Sequence, residues 1–300
     1  MPALGVGTHQ DASEDAVHAM ARHRSQCGPG AMAWVAARPS VQELVLYAPE
    51  CQLALRRAVG VETPLHSDCP HRTCPARSVD TRHARYCVRS GYVVRRHNSL
   101  RDTLQRLLQT SGIPVAVEDA SYFTQTARGF RMDLTMAAGE LRHGGVPDLS
   151  THAALLDITC GDPHAPHNLL NSAMADGATA AAAASIKINH HSGSFSPASA
   201  KLWPLAVESY GRWGVEALTF FSAVAEHVCG GRHSDRFRLK GAVLHHLRQV
   251  MSVALQRDLY RSVMGYKGQV ARARLGRLGV VEGQGLADAD LEAAPLEPAW

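Results

Sequence analysis

The run HAALLDITCGDP at residues 152–163 sets one acid, Asp157, inside an apolar stretch that reads as a buried strand. An unpaired carboxylate in such a place costs roughly several kcal/mol, so it calls for a metal, a partner or the edge of a cleft. Two more acids stand near the ends of β-type runs, Glu118 in IPVAVED and Asp133 in RMDLTM, and Lys187 follows an alanine-rich helical stretch. Carboxylates at adjacent strand ends can hold Mg²⁺ or Mn²⁺ and leave room for water and a phosphate. The cation would polarise the phosphoryl oxygen and generate hydroxide, while a lysine stabilises the developing charge or orients the attacking water. Glu118, Asp133, Asp157 and Lys187 are therefore the expected catalytic set, with Asp133 and Asp157 as the metal ligands. Without a metal, Asp133 would be a strand-end acid in a turn and Lys187 a helix-terminal cation favoured by the macrodipole.

A second constellation lies upstream. In CPHRTCPARSVDTRHARYC, the residues Cys69, Cys74, His83 and Cys87 supply soft donors for a closed tetrahedral zinc site. Residues 63–96 are short of aliphatic side chains, so metal binding would supply the folding energy of this segment. Its C-x4-C spacing is wider than the commonest knuckle, and His71 offers a competing ligand. The alternative is a loop of unmetallated thiols. Around and after this segment, Arg85, Arg89, Arg95, Arg96, His97 and Arg101 could contact nucleic-acid phosphates, if they share a face. A solvated basic surface is the plain alternative, and a capping role at a helix N-terminus is the one for His97.

The elements that must position these groups follow from periodicity. With 300 residues, 45% hydrophobic and 19% charged, the composition is that of a globular protein with one core or two. The net charge of +4 permits a nucleic-acid partner without requiring one. Seven cysteines in clusters argue against a disulfide framework and for a reducing compartment. Early acids and the lack of an apolar segment argue against a signal peptide, and no stretch reads as a membrane span. Leu100, Leu104, Leu107 and Leu108 form one helical stripe that Gly112 ends. Three β-type runs follow, then the alanine-rich helix broken at Gly177, a fourth strand in WPLAVESYG, and an amphipathic helix in VEALTFFSAVAEHVCGG. This order predicts an α/β layout. The expected organisation is a helical lead-in (1–62), a zinc knuckle (63–96), an α/β domain (97–230), a basic helical extension (231–280) and a disordered tail (281–300).

The ordered succession GPGAMAWVAARPS, CPHRTC, RHARYC, RRHNSLRDTL, GIPVAVED, RMDLTM, LLDITC, KINHH and PLAVESYG resembles the region downstream of the polymerase in non-LTR retrotransposon proteins. The resemblance covers residues 27 to about 228. In that family a CCHC knuckle leads into a restriction-like endonuclease of the PD-(D/E)xK class. What it implies is a mixed sheet flanked by helices, a structural Zn²⁺, a Mg²⁺-dependent cut in DNA and a nuclear location. RNA and a separate reverse transcriptase would be further partners, since no Tyr-x-Asp-Asp box is present in this chain.

Matched by position, Asp133 takes the place of the acid in the PD element, Asp157 that of the second acid, and Glu118 that of the acid near the first strand. Lys187 matches a lysine placed on the following helix. Two departures stand out. Met132 replaces the proline, and Thr159 stands where the usual lysine would be, so catalysis would depend on Lys187 reaching over from its helix. The tyrosine expected after that lysine corresponds to His190 or His191. The alternative reading is a catalytically inactive nucleic-acid-binding remnant of such a protein.

Overall fold

The computed structural model describes residues 9–124, 129–141, 143–230 and 236–277. The expected tail at 281–300 lies outside them. Helices α1 (His9–Gln26) and α2 (Ala48–Ala58) precede a short α3 (His83–Tyr86) and a long α4 (Tyr92–Thr110). Strands β1 (Ala116–Asp119) and β2 (Met132–Met136), the one-turn α5 (Pro147–Thr151) and β3 (Ala153–Gly161) come next. The chain continues through α6 (Leu169–Met174), α7 (Ala178–His190), β4 (Ala200–Glu208), α8 (Val215–Cys229) and α9 (Arg236–Arg277).

The four strands form one mixed sheet in the order β1-β2-β3-β4. The first three run antiparallel, and β4 lies parallel to β3 over its whole length, from Ala153 beside Ala200 to Gly161 beside Glu208. A parallel neighbour demands a crossover, and α6 and α7 supply it. Gly177 separates these two helices with a φ of 71°, a left-handed conformation that glycine adopts without steric cost. The protein is thus a mixed α/β fold with a four-stranded sheet flanked by helices.

The main core packs Leu134, Leu156, Ile158, Leu205 and Val207 of the sheet against the α4 leucine stripe, α8 and α9. Leu100, Leu104 and Leu108 are almost completely buried, so the stripe does what its spacing predicts. Small side chains decide how α7 sits. Ala180 and Ala184 pack on Ala206 of β4, which brings the helix axis close to the sheet and with it the lysine near its end.

The expected basic helical extension forms α9, helical over Arg236–Arg277, and Leu247, Val250, Met251, Val253, Leu255 and Leu259 within it are buried. At about 1.5 Å per residue, its 42 residues make a rod about 63 Å long. Along that rod, Val253 packs with Trp34 and Ala54 of the lead-in, while Val263, Tyr266 and Val270 pack with Val79, Ala84 and Cys87 of the cysteine-rich segment. Polar side chains add stitches: Gln249 donates to the Ala36 carbonyl at 2.8 Å and Gln269 to that of Ser90 at 3.3 Å. Basic residues interleaved along the helix leave it without a single apolar stripe, so its buried positions do not stand out in the sequence.

Candidate functional site

Asp133 and Asp157 lie on neighbouring strands, each one residue beyond the Leu134–Leu156 pair that ends the antiparallel β2–β3 ladder. Their closeness shows in one bond: the backbone N–H of Ile158 donates to Asp133 Oδ2 at 2.7 Å. The other Asp133 oxygen, Oδ1, is 3.0 Å from His97 Nε2 on α4. Burial acts to lower the basicity of His97, but the bond to Asp133 and its charge outweigh that and hold the imidazole pKa above its ordinary value.

Asp157 is 3% exposed and carries the partners its burial demands. Lys187 Nζ of α7 lies 2.9 Å from Oδ1, and His191 Nε2 at the end of the same helix lies 3.1 Å from Oδ2. Each Asp157 oxygen thus faces one basic side chain from α7. Burial pushes the Asp157 carboxyl up, yet His191 and Lys187 together reverse it and hold the group below the usual carboxylate range. The acid is therefore ionised at neutral pH. His97 also lies within electrostatic reach of both Lys187 and Asp157, so the two pairs make one cluster.

The position of α7 is fixed at its far end. Gly177 at the helix start has no side chain to cap the free N–H groups. Glu208, buried at the end of β4, takes that role by accepting bonds from Thr179 N at 3.1 Å and Ala180 N at 3.3 Å. Glu208 therefore holds the start of α7 in place.

Glu118 sits differently from the other acids. It lies on β1 between the Val117–Leu134 and Asp119–Met132 rungs, with a φ of 49°, which is costly for a residue with a side chain. Its carboxylate pairs with Arg101 at 2.5 Å and reaches Arg131 at 3.6 Å. Arg101 also holds Asp102 at 2.9 Å, so two acids occupy this guanidinium.

The expected basic face does not form as a continuous surface. Arg85 and Arg96 are buried, while Arg89 and Arg95 are exposed. Arg85 binds Asp162 at 3.0 Å and Glu62 at 2.7 Å, and Arg96 donates to the Arg85 carbonyl. Around them Tyr210 accepts the cations of Arg57 and Arg85 near its ring, at 4.9 and 5.6 Å. His164 Nε2 lies 2.9 Å from the Tyr210 hydroxyl. An arginine-rich sequence cannot distinguish a phosphate grip from such an interior network, because both use the same donors. Asp162 was the available signal: a second acid only five residues after Asp157, just past the end of the same apolar strand.

The cysteine-rich segment forms a metal cage. The ligand atoms of Cys69, Cys74, His83 and Cys87 all lie within 4.8 Å of one another. Tetrahedral zinc, with sulfur at about 2.3 Å and nitrogen at about 2.0–2.1 Å, sets sulfurs about 3.8 Å apart and sulfur and nitrogen about 3.6 Å apart. Cys69 Sγ and Cys87 Sγ are 3.8 Å apart, and Cys74 Sγ is 3.6 Å from His83 Nε2. The donor set and its spacing fit an ion such as zinc. His71, the competing ligand, lies 3.3 Å from Gln269 Oε1 on α9 and is outside the cage. A turn closed by Cys74 N on the His71 carbonyl shapes one end of the cage. At the other end Asp80 caps α3 by accepting from Arg82 N and His83 N.

Among the described residues this cage is the one group of three or more such donors arranged to hold a metal. The Asp133–Asp157 cluster offers two hard carboxylates. Also among the described residues, no helix is long and apolar enough to cross a membrane. Compared with protein-family models, curated protein sequences and solved structures, the chain matches none.

Proposed function

We propose that the protein is a metal-dependent DNA endonuclease of retroelement origin with a restriction-like core. Asp133 and Asp157 would hold Mg²⁺ or Mn²⁺, and Lys187 would serve the nucleophile and the developing phosphoryl charge. One observation supports this above the rest: a lysine from a crossover helix reaches a buried carboxylate that adjoins a second carboxylate on the neighbouring strand. A divalent cation at Asp157 would share or displace the Lys187 ammonium that now sits on Oδ1, since both are attracted to the same buried charge. When bound, the ion would polarise a phosphoryl oxygen and lower the pKa of its water.

This chain's own residues account for the rest. His97 and the Ile158 amide hold Asp133 in one rotamer. His191 holds Asp157 at its other oxygen, Oδ2, so that carboxylate would stay anchored as Lys187 turned toward the developing negative charge. Glu118, bridged by Arg101 and Arg131, orders the sheet edge where DNA would enter. Exposed Arg89 and Arg95 remain for the phosphate backbone, and the zinc cage orients their segment. Nicking of supercoiled plasmid in Mg²⁺, its absence in EDTA and its loss in Asp157→Ala test the reading. Undiminished nicking by Asp157→Ala would refute it.

The second reading is a DNA-binding remnant without catalysis. It draws on the neutralisation of Asp157 by Lys187 and His191, which could serve stability alone. Under that reading the chain binds DNA with a salt-dependent affinity that Asp157→Ala leaves intact, and it cuts nothing.

A further inference from the structure

Tyr266 lies on the part of α9 that covers the metal cage. Its ring meets the His83 ring edge-on at 5.6 Å and the His71 ring at 6.2 Å, in the same apolar cluster as Cys87. The side chain is completely buried, and its hydroxyl has no hydrogen-bond partner of normal geometry. A buried hydroxyl left in that state costs about 1–3 kcal/mol, so its persistence needs a reason. The neighbours of the oxygen supply one. It stands beside the Cys69 sulfur, with the Cys87 and Cys74 sulfurs close by. The ring packs in one cluster with the Cys69, Cys74 and Cys87 side chains, and toward a metal-bound thiolate, which has no proton to give, a phenol hydroxyl acts as the donor. A neutral thiol is a poor acceptor, whereas a metal-bound thiolate is a good one.

We infer that Tyr266 is an outer-sphere ligand of the metal cage, donating a hydrogen bond to the Cys69 thiolate when the ion is bound. The inference rests on the cage holding a metal and is independent of the nuclease reading. The bond would stabilise the Cys69 thiolate against protonation and so strengthen net zinc binding at neutral pH, as groups behind the direct ligands commonly do. It would also tie metal loading to the seating of α9, whose other turns pack on the lead-in and the sheet core. Gln269, one turn on, braces the same module through His71 and Ser90.

Cobalt is the probe, because Co²⁺ in a sulfur-rich tetrahedral site shows sulfur-to-metal charge-transfer bands in the near ultraviolet. The full chain is loaded with Co²⁺, and zinc affinity is then read by competition. Tyr266→Phe removes only the hydroxyl and should shift the charge-transfer band to longer wavelength and weaken zinc binding about tenfold. Tyr86→Phe is the control. Its ring lies 5.2 Å from His83, but its phenol faces the charges of Asp162, Asp80 and Arg85, and it should change neither reading. Incorporating 3-fluorotyrosine at position 266, which keeps the ring and makes a stronger donor, should move the band to shorter wavelength. It provides the answer even if Tyr266→Phe folds poorly. An unmoved band in Tyr266→Phe, or an equal shift in Tyr86→Phe, would overturn the inference while leaving the cage intact. Failure of the wild-type chain to take up Co²⁺ would overturn both.

Discussion

Lys187 Nζ stands 2.9 Å from Asp157 Oδ1, so the only lysine or arginine between Arg142 and Lys201 is spent on a carboxylate that the sheet has buried. The contact joins two elements with different roles. β3 sets the acid beside Asp133, and α7, drawn close by its alanines and held by Glu208, delivers the cation. If the pair exists for catalysis, Lys187→Met should lower the single-turnover cleavage rate by about 100-fold or more and leave Mn²⁺ binding in place. Quenched-flow cleavage of a labelled duplex measures the first quantity, and a rate within a few fold of wild type would remove Lys187 from the chemistry.

Arg85 should behave as an interior residue. Truncating one partner of a buried charge network costs about 3–5 kcal/mol, so Arg85→Ala should lose about that much stability in urea unfolding. It strands Asp162, which is completely buried at its side chain. Arg89→Ala and Arg95→Ala should leave stability unchanged. In DNA binding each should lower the slope of log affinity against log salt by about one. The opposite pattern would return Arg85 to the surface.

Acid should weaken the fold through His164. Burial lowers its pKa from the ordinary 6.5 to about 3, against the opposing charge of Asp162. The unfolded chain therefore binds a proton near pH 6.5 that the folded chain refuses until about pH 3. Stability should fall as pH drops through that window, with a limiting contribution of about 1.4 kcal/mol per pH unit. Asp162 acts in the same direction lower down. Arg85 and its other partners overcome burial and hold it far below the usual carboxylate range, so its contribution is present above about pH 4 and is lost below it. Urea midpoints at pH 7 and 5 test this, since His164→Gln should flatten the dependence. An unchanged slope would show that His164 titrates freely.

Much of this architecture was legible in the sequence, and the failures share a cause. The leucine stripe of α4, the break at Gly177 and the four strands follow from local periodicity, which reports burial on one element at a time. The cage was legible because cysteine and histidine spacing has few uses in a chain short of aliphatic residues. Arg85 and Arg96 were misplaced because charge in sequence does not say which side of the molecule it will occupy, and the buried face of α9 stayed hidden among its basic residues. His191 was visible only as a stand-in for an expected tyrosine. Its bond to Asp157 depends on the close approach of α7 to the sheet, which no window of sequence contains.

Zinc uptake should release protons. Burial, then the charges of Cys69 and Cys74, push the metal-free Cys87 thiol up to about 12, and burial likewise raises Cys74. Burial keeps His83 neutral by lowering its pKa. Binding at pH 7 should therefore free at least two protons per zinc, those of Cys74 and Cys87. A dye titration in weak buffer counts them, and release of fewer than one proton would exclude thiolate ligation.

The central claim is that Asp133 and Asp157 together hold a divalent cation, and Mn²⁺ binding followed by electron paramagnetic resonance on the zinc-loaded chain tests it most directly. The account predicts that wild-type protein removes about one equivalent of the free Mn²⁺ signal, and that Asp133→Asn and Asp157→Asn each weaken this by at least about tenfold. Equal Mn²⁺ uptake by all three proteins, or none by the wild type, would contradict it.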